Sequence, residues 1–112
     1  MTGPHSLSET PRRRLTRLVA ALAEEAGVEA SDVWREHRGR RDVARVRQLA
    51  MWIWRYGGDQ IRNFTEVGIA FRRDRTTVSH ACTIMDNEYA ITHDSERLTC
   101  VRHILGRVGV DL

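Results

Sequence analysis

The sequence predicts an all-α domain of five or six helices, and three observations carry that prediction. Apolar residues recur at helical spacing in one segment after another, the mark of helices with one buried face. Cap residues and glycines punctuate those segments where helices would start and stop. No run of β-branched residues alternates with polar ones, and no hairpin dipeptide joins two such runs. A chain of 112 residues suits one domain with a single helical core.

Residues 1–9 are polar, contain a Gly-Pro pair and read as a disordered tail, leaving 10–112 as the folded domain. Thr10-Pro11 reads as a cap followed by proline at the first helical position. Leu15, Leu18, Val19, Leu22 and Ala26 then form a stripe that stops at Gly27. Arg12, Arg13 and Arg14 open this helix against its dipole; they read either as a solvated charge run or as phosphate contacts. Ser31 is expected to cap a short helix carrying Val33 and Trp34. The run EHRGRR, residues 36–41, is a basic loop. Asp42 is expected to cap the next helix, where Val43, Val46, Leu49, Ala50 and Ile53 face the core and Gly57-Gly58 ends it. Trp52 and Trp54 do not fit one narrow stripe, so at least one should be partly exposed or packed on the terminal helices. A last helix starts between His93 and Ser95 and carries Leu98, Val101, Leu105 and Val108 at helical spacing.

Between these lies the stretch that organises the chain, Asn63 to Tyr89. Asn63 followed by Glu66 is a capping-box pattern, so a helix of about two turns should begin near Phe64. Arg72-Arg73-Asp74 interrupts it, and Asp74 can accept from the free N–H near Thr76 or Thr77 to start a second helix. There Val78, Ala81, Cys82, Met85 and Tyr89 make one apolar stripe. Thr76, His80, Thr83 and Asn87 occupy the opposite face, with Arg75 and Ser79 on its shoulder. A short helix, a tight turn and a longer helix with hydrogen-bonding side chains facing outward form a helix–turn–helix, the arrangement that places a recognition helix on DNA.

The same residues carry a resemblance. RRDRTTVSHAC resembles the signature of the C-terminal DNA-binding domain, domain IV, of the bacterial replication initiator DnaA, written around D-H-T-T-V-x-H-A. Asp74, Thr76, Thr77, Val78, His80, Ala81 and Cys82 fit it, and Arg75 stands where the family has histidine. RRDVARVRQLAM, Arg40 to Met51, is similar to the family's basic loop and following helix, with Val46 in place of proline. FTEVGIAF, Phe64 to Phe71, is similar to L-P-E-I-G-x-x-F, with Thr65 in place of proline. The likeness spans roughly residues 15–107. It implies that Asp74, Arg75, Thr76 and His80 approach bases in a DnaA-box-like site of double-stranded DNA. It implies that Thr65 takes the contact made by the family's proline. The family's minor-groove arginine aligns with Gly39, so Arg40 or Arg38 would take that role.

Chemistry agrees with these roles. A carboxylate accepts from the cytosine amino group and a threonine methyl packs on thymine. Arginine's planar fork suits phosphate and narrow A·T-rich minor grooves, which makes Arg38, Arg41, Arg45, Arg47, Arg72 and Arg73, together with Gln48 and Thr77, the expected backbone contacts. Charge is placed accordingly. From residue 35 to 75 there are eleven arginines against five acids, net +6, while the rest of the chain carries net −3. An anionic partner requires such a concentration; a bland solvated surface would scatter it.

Other classes find little support. No apolar run approaches about 18 residues and no signal peptide is evident, so a cytoplasmic, nucleoid-associated protein is expected. Cys82 and Cys100 fall on apolar helix faces and read as buried thiols rather than a disulfide. His80, Cys82, His93, Cys100 and His103 are soft ligands, but lack the paired, close-spaced cysteines of structural zinc, so no metal or cofactor is expected. No phosphate loop, Gly-flanked nucleophile or H-E-x-x-H occurs, and Ser79 and His80 diverge on a helix, so no enzyme or ATPase activity is expected. The expected function is therefore sequence-specific duplex DNA binding, as a transcription regulator or a modulator of replication initiation. The alternative is a protein-interaction adaptor using an exposed tryptophan and the N- or C-terminal helix.

Overall fold

The computed structural model describes residues 3–35 and 40–112, and the described residues form six helices and no strand. They are α1 (Glu9–Ala26), α2 (Ala30–Val33), α3 (Arg41–Tyr56), α4 (Phe64–Phe71), α5 (Arg75–Glu88) and α6 (Asp94–Val108). None is long and apolar enough to cross a membrane.

The first three helices start earlier than their cap residues suggest. Ser8 precedes α1, and its carbonyl accepts from the Arg12 N–H at 3.0 Å. Pro11 then sits third in the helix, where its missing N–H is still one of the unpaired first-turn donors. Glu29 rather than Ser31 precedes α2, and Arg40 rather than Asp42 precedes α3. Asp42 instead accepts from the Val43 N–H at 2.8 Å, inside the first turn. Gly27 ends α1 at φ 74°, a left-handed stop suited to glycine. His93 precedes α6 as expected, its N–H donating to Glu96 at 3.2 Å. Within the segment expected as a disordered tail, Leu7 packs against the core. Pro4 is buried, and the His5 N–H donates to the Ala70 carbonyl at 2.9 Å.

The core is built around α3, which α1, α2, α4, α5 and α6 all contact. A helix enclosed on several sides needs more than a stripe. Beyond Val43, Val46, Leu49, Ala50 and Ile53, it also buries Met51, Trp52, Trp54 and Tyr56. Of the two alternatives expected for these tryptophans, exposure is ruled out, because Trp52 and Trp54 are 0% and 1% exposed. Trp52 stacks on Tyr89 with ring centroids 5.4 Å apart and donates its indole N–H to Asp86 at 3.0 Å. Asp86 also receives two bonds from Arg97, at 2.9 and 3.0 Å, so α3, α5 and α6 meet at one carboxylate. That pairing holds the Arg97 pKa above its ordinary value. At the other end of α3, Trp34 stacks on Phe71 at 5.1 Å and joins α2 to the end of α4.

Candidate nucleic-acid interface

The short helix α4 begins where Asn63 accepts the Glu66 N–H at 2.8 Å. It ends at Arg72, which takes a left-handed conformation at φ 56°. The chain then doubles back tightly: the Arg73 N–H donates to the Gly68 carbonyl at 2.8 Å. A Cβ at position 68 would lie 2.4 Å from the Arg73 carbonyl oxygen, so only glycine admits this turn. Asp74 then accepts the Thr77 N–H at 3.0 Å and starts α5. Both side-chain caps expected in this stretch, Asn63 and Asp74, are made.

Helix α5 divides into two faces. Val78, Ala81, Cys82 and Met85 are buried against the core, and Tyr89 at the C-terminal boundary is half-buried. Burial pushes the Cys82 thiol up to about 11, and Cys100, half-buried, also shifts upward; both are free thiols. Asp74, Arg75, Thr76, Thr77 and His80 are all exposed at the N-terminal end, and Thr83 and Asn87 continue the outer face. Thr65 is exposed on α4. The candidate base-reading residues of the helix–turn–helix thus lie outside the core on its two helices.

The basic residues divide differently from expectation. Arg40 and Arg41 are exposed at the start of α3, Arg40 lying 3.4 Å from Asp42. Arg45 is exposed but paired with Glu88 of α5, which raises its pKa. Gln48 is half-buried. Arg47, expected as an exposed phosphate contact, requires correction: it is only 7% exposed. Its guanidinium donates to the Val33 carbonyl at 2.8 Å and the Asp32 carbonyl at 3.2 Å, closing the C-terminal end of α2. Burial, with the like charge of Arg73 second, lowers its pKa to about 10. Arg73 is half-buried and donates to the carbonyls of Phe71, Arg72 and Arg35. Arg72 is exposed and also has a partner within the protein. Arg38 lies outside the described residues.

Two positioning features carry no charge signature in the sequence. Gly68 sets the turn, and its signal is a glycine inside a short helix, where glycine is costly unless another backbone approaches closely. Asp86 anchors the far end of α5 and has no comparable signal, since its partners lie in α3 and α6.

A short helix, a three-residue turn and a second helix with a polar outer face together define a helix–turn–helix DNA-binding domain. Comparison with known families makes the assignment specific. The chain matches the family described as the bacterial DnaA protein helix-turn-helix over residues 15–84, more than half its length, and it belongs to that family. The domain of that family binds double-stranded DNA. No individual curated protein matches the chain.

Proposed function

We propose that this protein reads specific sites in duplex DNA, with α5 in the major groove, and acts by occupying them. The role is that of a transcription regulator or a modulator of replication initiation at DnaA-box-like sites, needing no ATPase from these residues. The observation that carries the reading is the division of α5, an apolar stripe held in the core beneath an exposed Asp74-Arg75-Thr76-Thr77 and His80. In helix–turn–helix proteins these N-terminal positions meet base edges. Asp74 and Thr76 offer an acceptor for cytosine and a methyl for thymine, and His80 and Thr65 extend the surface. Arg40 takes the minor-groove role, and Arg41, Thr77 and Arg72 face phosphates. Residence on the nucleoid follows from this activity.

The adaptor alternative loses the exposed tryptophan on which it partly depended, since both candidates are buried. Selection from random duplex DNA, followed by salt titration on the winning site, tests the proposal. A DNA reader yields one enriched motif and a log–log salt slope of about 0.9 per phosphate neutralised. No enrichment together with a flat salt response would reject it.

A further inference from the structure

We infer that Arg75 reads a guanine and sets the preferred base at one position of the site; this rests on the DNA-reading assignment above. The helix–turn–helix contains three arginines in its turn region, Arg72, Arg73 and Arg75. Arg73 is bound to the carbonyls of Phe71, Arg72 and Arg35, and Arg72 also has a partner inside the protein. Arg75 differs. It is exposed as the first residue of α5, and among the described residues it makes no hydrogen bond, ion pair or ring contact. A guanidinium there also lies at the positive end of the helix dipole, which gives it no stabilisation in the free protein. Its five donors await an acceptor from outside.

Two kinds of acceptor exist on duplex DNA, phosphate oxygens and base edges. The neighbouring Asp74 decides between them. One oxygen of that carboxylate caps the helix through the Thr77 N–H, yet the group remains exposed and acidic beside Arg75. A carboxylate repels an approaching phosphate. It is compatible with a G·C pair, which offers the O6 and N7 acceptors to an arginine fork and an amino donor to a carboxylate. Thr76 and His80 add further exposed hydrogen-bonding groups on the same end of α5.

The test compares the wild type with Arg75→Ala and Arg75→Lys in the same selection from random duplexes, with a salt titration of each on the wild-type site. Thermal melts first confirm that both variants fold. Lysine keeps the charge that a phosphate contact needs but loses the fork that guanine needs. The expected result is a G preference of roughly ten- to hundredfold at one position in the wild type, lost in both variants, with other positions unchanged. The lysine variant should keep the wild-type salt slope. The inference is overturned if all three proteins choose the same base everywhere and only the alanine variant loses about 0.9 of slope, the behaviour of a phosphate contact. If the wild type enriches no motif, the DNA-reading assignment fails as well.

Discussion

Helices α3 and α5 pack against one another, yet they use their polar side chains in opposite ways. On and just after α3, three arginines are turned inward. Arg47 donates to the carbonyls of Asp32 and Val33. Arg55 lies 3.9 Å over the Phe64 ring and donates to the Arg62 carbonyl. Arg62 lies 3.7 Å over the Trp54 ring and donates to the Trp54 carbonyl, and burial lowers its pKa. On α5, Arg75, Thr76, Thr77 and His80 stay exposed. A concentration of arginine therefore does not by itself mark a binding face.

The largest effect should come from breaking the inner face of α5. Val78→Asp buries a charge with no partner at a site that is 0% exposed, costing several kcal/mol. Cooperative melting should be lost; a melt like that of the wild type would mean the buried face is misassigned. Next comes Gly68→Ala, whose new methyl meets the Arg73 carbonyl and must push the turn open. A loss of about 1–3 kcal/mol is expected. DNA affinity should fall further than stability accounts for, because α5 shifts relative to α4.

Arg47→Met sharpens the contrast directly. Removing the guanidinium leaves two carbonyls without their donor, so stability should drop by about 1–3 kcal/mol. The salt slope of DNA binding should stay unchanged. An unaltered melt with a slope reduced by about 0.9 would restore Arg47 to the phosphate contacts. The smallest effect on folding belongs to Arg41→Ala, exposed at the start of α3. Stability should remain within about 0.5 kcal/mol of the wild type, while binding weakens evenly across sequences and the slope falls by about 0.9.

What the sequence disclosed, and what it hid, follow from the range of the interactions involved. Asn63 and Asp74 were legible because a side-chain cap is made within three residues. The stripe of Val78, Ala81, Cys82 and Met85 was legible because α5 buries only one face. Ser31 and Asp42 misled as caps because Glu29 and Arg40 precede their helices without a side-chain bond, leaving no local mark. The burial of both Trp52 and Trp54 was hidden because periodicity reports one face, whereas five helices surround α3. Arg47 was misread for the same reason: the carbonyls that hold it belong to α2, brought alongside only by the tertiary fold. The candidate base-reading residues lie on exposed surfaces of local elements, outside the stripe that the helical spacing marks as buried.

The exposed face at the N-terminal end of α5 is the surface proposed to meet DNA. Backbone amide shifts followed by NMR during titration with the selected duplex test it most directly. The largest changes should fall on residues 74–80, on Thr65 and at the start of α3, with α6 quiet. Changes concentrated instead on α6 and the adjoining groove of Tyr89, Ile91, Cys100 and His103 would contradict the claim and place the binding surface at the opposite end of α5.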